Sequence, residues 1–66
     1  MNEEQRTVYI QSQIACAMIE AMGMQAENKQ REAEGKSMAF TQKEFVDLIA
    51  EYGISHNSVI GYFTGR

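Results

Sequence analysis

The chain has 66 residues, a net charge of −3, one cysteine and one histidine. That length allows one domain, the single cysteine excludes an intrachain disulfide, and one cysteine with one histidine is too few for a structural zinc site within one chain. The acidic balance argues against generic binding to a phosphate backbone, where clustered Lys and Arg supply the affinity. Single cores of this size are marginal without a staple or a partner, so oligomerisation is the remaining device. The start, M-N-E-E-Q-R, is polar and acidic, so no signal peptide is expected and the chain reads as a complete small gene product. The single thiol suits a reducing cytoplasm.

The pattern predicts a first helix over about 3–34. Asn2 is its cap, with Gln5 completing a capping box, and Glu3 and Glu4 sit in the first turn where the helix dipole favours negative charge. Ile10, Ile14, Ala17, Ala21 and Met24 follow a four-three spacing, a coiled-coil-like seam, with Met18 beside it. Val8, Ala15, Ile19, Met22 and Ala26 widen the apolar surface to more than one face, which predicts burial on several sides. The expected partner is another copy of the chain. A helix of roughly 45–50 Å is much longer than a compact 66-residue globule, whose radius of gyration is about 11 Å. The apolar run Ile14 to Met24 is about eleven residues, too short for a bilayer, which takes about 20. It also lacks the basic flanks of a membrane-surface helix. Glu20, the only charge in that run, is expected at the edge of the seam, reaching water or a neighbouring chain. Cys16 reads as a small core residue and the seam methionines as core.

From Glu27 the helix is polar nearly all round, with Glu27 and Arg31 as an i,i+4 pair, and Gly35 is its stop. A second helix is expected over about 42–52. Thr41 and Glu44 form its capping box, Phe40 and Phe45 flank the cap, and Phe45, Leu48, Ile49 and Tyr52 make one apolar face. Gly53 ends it and Ile54 follows. Ser55 caps a third helix over about 56–63, anchored by Val59, Ile60 and Phe63. No strand is expected. The fold class is therefore all-α: one long N-terminal helix plus a short helical hairpin, assembled as a helical homo-oligomer through Ile10, Ile14, Ala17, Met18, Ala21 and Met24.

No phosphate loop or metal spacing is present, and no nucleophile has a base beside it, so neither an enzyme nor a cofactor is expected. A site built between chains is the alternative to catalysis. Arg31, Lys36, Lys43 and Arg66 are the candidate anion contacts, and Tyr9, Tyr62 and Phe63 the candidate stacking surfaces. A small nucleotide needs both kinds of group. The plain alternative for these residues is solvated charge and core aromatics.

Two resemblances bear on function. Tyr52 to Arg66 resembles the turn and recognition helix of helix-turn-helix DNA-binding proteins, with Gly53 in the turn, Ile54 after it, Ser55 as the cap and Val59 as an anchor. It departs from that family at Ile49, where a small Ala is usual, and at His56, Asn57, Ser58 and Gly61, which include no Arg or Lys. The resemblance implies DNA contacts from Ser55, His56, Asn57 and Ser58, with Asn57 suited to an adenine edge and Ser58 to phosphate. Ala17 to Thr41, with its E-G-K-S turn, resembles small accessory proteins of tailed bacteriophages. That likeness implies a non-catalytic role in the infected bacterial cytoplasm, blocking a host factor or sequestering a defence signal such as a nucleotide. It transfers no binding residue. The expectation is thus a binding protein whose partners are itself and a host protein or a small nucleotide. A DNA-binding regulator is the competing class, and no membrane is involved.

Overall fold

The computed structural model describes residues 1–64, so the expected contact at Arg66 lies outside the described residues. It is all-helical there, with α1 (Glu3–Ala33), α2 (Gln42–Glu51) and α3 (His56–Thr64) and no strand. Each helix ends within a residue of its expected limits because local chemistry sets those limits. At the start of α1 the Gln5 N–H donates to the Asn2 side chain at 2.8 Å, and the Asn2 N–H donates to the Gln5 side chain at 3.1 Å. At its end Gly35 turns left-handed at φ +73°, and the Lys36 N–H bonds back to the Arg31 carbonyl at 2.8 Å. This is the glycine-terminated form of helix stop, in which the left-handed residue frees the next N–H to reach an orphan carbonyl. α2 ends the same way: Gly53 has φ +64°, and the Ile54 N–H reaches the Ile49 carbonyl at 3.0 Å. At the start of α2 the Glu44 carboxylate accepts the Thr41 N–H at 2.8 Å and also accepts a hydrogen bond from the Thr41 hydroxyl. These bonds favour the ionised form and hold the Glu44 carboxyl below its ordinary range. Ser55 caps α3, accepting the Ser58 N–H at 3.3 Å.

α2 and α3 form a bent hairpin laid lengthwise on α1, and among the described residues both pack on α1 and not on one another. The shape is a rod of 49 × 18 × 10 Å with a radius of gyration of 15.2 Å. A compact chain of this length would measure about 11 Å. The core is thin. Among the described residues only Ile10, Ala17, Met24 and Leu48 are buried, the last at 5 % exposure. Fully burying a side chain the size of Ile10, Met24 or Leu48 contributes about 1.5–3 kcal/mol and Ala17 less, a small return against the entropy of ordering the chain.

The hairpin covers the seam that the sequence pattern assigned to a second copy. Ile10, Ala17 and Met24 lie under the chain's own α2 and α3, Ala21 is half-buried, and Ile14 and Met18 are exposed. The reason is reach. Two short helices in line extend along the long one, and polar side chains on the covered side fix them. The Gln13 amide donates to the Tyr52 carbonyl at 3.1 Å. The Asn28 side chain holds the returning loop with three bonds, accepting from the Ala39 and Phe40 N–H groups at 2.9 and 3.0 Å and donating to the Phe40 carbonyl at 2.8 Å. The burial expected for Cys16, Met18 and Met22 is not supplied within one chain. Cys16 is exposed, and so are Met18 and Met22, because the hairpin covers one side of α1 only.

Candidate functional site

Tyr9 on α1 and Tyr62 on α3 meet edge to face, with ring centroids 5.6 Å apart and planes at 75°. That arrangement lets the positive edge of one ring face the negative face of the other. Burial pushes the Tyr62 phenol above its ordinary value, with the neighbouring Tyr9 adding to the shift. Two candidate stacking residues are thus engaged with each other, edge to face. Phe63 remains exposed beside them.

The candidate cations lie toward the other end of the rod. Arg31 sits about 33 Å along the axis of α1 from Tyr9. Each of the three candidate cations among the described residues has a local acidic neighbour. Arg31 bonds Glu27 at 3.0 Å, Lys36 lies 3.3 Å from Glu34, and Lys43 lies 2.8 Å from Asp47. The bond to Asp47, reinforced by its charge, raises the Lys43 ammonium above its ordinary value. Exposed pairs of this kind contribute little to stability, but they lower the net positive field at each cation. Within one chain, then, the aromatic and basic halves of the expected nucleotide site are not brought together.

The clefts beside α1 have a different chemistry. One between α1 and α2 is lined by Met24, Phe40 and Leu48 and by four carboxylates, Glu20, Glu44, Asp47 and Glu51. An anion entering it meets like charge. Its neighbour holds Arg31, but together with Glu20 and Glu27. Among the described residues no group of His, Cys, Asp or Glu is placed to hold a metal ion. Glu20 meets its own chain, accepting the Tyr52 hydroxyl at 3.0 Å. That bond, then burial, raises the Tyr52 phenol above its ordinary value.

The helix-turn-helix candidates are arranged as a capped helix start. His56 and Asn57 are exposed, and Asn57 lies at a shallow groove with Ile60, Gly61 and Thr64. Ser55 and Ser58 bond to each other, hydroxyl to hydroxyl, at 2.9 Å.

A further feature is apolar, and it is the face by which Val8, Ala15, Ile19, Met22 and Ala26 widen the seam. On the back of α1, away from the hairpin, Val8, Met18, Ile19 and Met22 are exposed, Ile19 by 69 % and Met22 by 63 %. Past Met18 the apolar surface continues into a groove lined by Ile14, Ala21, Phe45, Ile49 and Ile54. The signal was available in the spacing of Val8, Ser12, Ala15, Ile19, Met22 and Ala26, which repeats four and three like the covered seam. No helix is long and apolar enough to cross a membrane among the described residues. No protein-family model matches the chain, and neither a curated protein nor a solved structure is significantly similar to it.

Proposed function

We propose that the protein is a non-catalytic binding protein that works as a homo-oligomer, in the cytoplasm of a phage-infected bacterium, by occupying a host factor. The observation that carries this reading is the uncharged apolar surface left bare by the folded chain, from Val8 to Ala26 on the back of α1 and round Met18 to Ile49. Monomeric proteins keep contiguous patches of this kind small, and larger ones mark sites of association. A protein surface satisfies such a patch, whereas a small charged ligand does not. The phage setting rests on the likeness of Ala17 to Thr41 to phage accessory proteins.

Sequestration of a nucleotide signal is the narrower form of the same reading. It requires a neighbouring copy to bring Tyr9, Tyr62 and Phe63 near Arg31, Lys36 and Lys43. Mass spectrometry of the protein purified from expressing or infected bacteria tests both forms. A host protein retained in fixed ratio is the expected result, a retained nucleotide selects the narrower form, and a bare chain overturns both.

The second reading, a DNA-binding regulator, is favoured by the exposure of His56 and Asn57 at the capped start of α3. α3 carries no Arg or Lys, so the counter-charge that DNA affinity draws on is missing from it. A gel shift to a discrete operator that Asn57→Ala abolishes would establish this reading instead.

A further inference from the structure

We infer that a second copy of the chain docks antiparallel along the back of α1, through Val8, Ser12, Ala15, Ile19, Met22 and Ala26. This rests on the homo-oligomeric part of the reading above and gives it a surface and an orientation. The six positions follow four-three-four-three-four spacing, the seam of a two-stranded coiled coil. At 3.6 residues per turn they lie opposite Ile10, Ala17 and Met24, so the chain's own hairpin cannot reach them.

Charge is absent where the contact would form. Between Val8 and Ala26 the only ionisable acid or base of full charge is Glu20, and it is turned to the hairpin side by its bond to Tyr52. The exposed area also fits. The chain exposes 5141 Å², against about 4,200 Å² for a compact monomer of 7.5 kDa. The excess over the whole rod is about 900 Å², enough to accommodate the ~800 Å² that each partner contributes to a standard stable interface.

Side-chain size chooses the orientation. In an antiparallel pair centred on Ala17, Val8 lies opposite the partner's Ala26, Ser12 opposite the partner's Met22 and Ala15 opposite the partner's Ile19. Every layer then joins a larger side chain to a smaller one and the layers have similar volumes, as close packing requires. Tyr9 on the flank comes beside the partner's Gly23, which leaves room for the ring. A parallel pair would stack Ala15 on its copy and Met22 on its copy, alternating voids with crowding. At each end Glu4 falls between the partner's Lys29 and the partner's Glu32, so the apolar contact stops there.

Light scattering after size-exclusion chromatography, with cross-linking, tests this. At micromolar concentration the mass should be about 15 kDa, twice that of the chain. Ile19→Lys or Met22→Lys, each on a side chain that the chain's own core does not use, should weaken association about 100-fold or more, as for a central interface residue. Orientation is read in a Cys16→Ser background. A Val8→Cys chain mixed with an Ala26→Cys chain should form a disulfide under mild oxidation, and Val8→Cys alone should not. A monomeric wild-type chain overturns both this seam and the homo-oligomeric reading. A wild-type oligomer that neither lysine variant weakens and that lacks the mixed disulfide overturns the seam alone. A disulfide from Val8→Cys alone overturns the antiparallel pairing.

Discussion

Ile10, Ala17 and Met24 lie along one side of α1, and Val8, Ile19 and Met22 along the other. Both sets repeat in the manner of a coiled-coil seam, yet the chain covers the first and leaves the second bare. What separates them is the polar company they keep. On the covered side Gln13 and Glu20 bond to Tyr52 of the hairpin, and Asn28 to Ala39 and Phe40 of the loop that leads into it. The bare side has no such residue engaged with the hairpin. Periodicity therefore states that a helix face wants a partner, and hydrogen-bonding side chains on that face state which partner it receives. Apolar contact is non-directional, whereas these bonds fix a register.

Substitutions on the two sides should separate most widely at the buried centre. Leu48→Ala should destabilise the fold by about 3 kcal/mol, whereas Ile19→Ala, measured at a concentration where the chain is monomeric, should cost under about 0.5 kcal/mol. Chemical denaturation of both variants checks this, and equal costs would abolish the distinction between the sides. Next, Asn28→Ala should cost about 2 kcal/mol, because it leaves the Ala39 and Phe40 backbone groups without their partner. Hydrogen exchange at those two amides should rise with it.

The two left-handed glycines sharpen the comparison further. A Cβ on Gly53 would stand 2.8 Å from the Tyr62 hydroxyl, whereas one on Gly35 meets nothing within 4 Å. Both substitutions force a left-handed alanine, so Gly35→Ala should cost about 1 kcal/mol. Gly53→Ala should cost more than that and should also shift the tyrosine absorbance, because Tyr62 must move. Equal costs would mean that the hairpin yields freely at that point.

The smallest effect is alkaline. Tyr52 donates to Glu20, so its neutral form is favoured and its folded pKa lies above the ordinary ~10. The contribution is complete below the unfolded value and is lost as pH rises through the folded one. Stability should therefore fall above about pH 10, and Tyr52→Phe should flatten that part of the decline in thermal melts.

The helices were legible because short-range chemistry bounds them. The Asn2–Gln5 box, the Thr41–Glu44 box, Gly35, Gly53 and Ser55 are each read within a few residues. The placement of the hairpin was not legible in the same way. Its tethers join Gln13 to Tyr52 and Glu20 to Tyr52 across 39 and 32 positions, and two faces of α1 satisfied the same periodicity. The meeting of Tyr9 with Tyr62 was hidden for the same reason, since it depends on how far α3 runs back along α1. Of the candidate cations, the sequence showed the Glu27 pairing of Arg31. The i,i+4 spacing of Lys43 and Asp47 was equally present, but its basic member comes first, the weaker orientation, and the pairing was not read from it.

The chain has three tyrosines and no tryptophan, and all three are occupied where the hairpin meets α1. Tyr9 and Tyr62 face each other, and Tyr52 donates to Glu20. Its intrinsic ultraviolet emission is therefore a local gauge of the hairpin lifting from the long helix. The seam positions on the back of α1 carry no chromophore, so of the three tyrosines only Tyr9, on its flank, would register association there. Emission and scattered light, recorded on one sample, would follow two separate events in the life of the molecule.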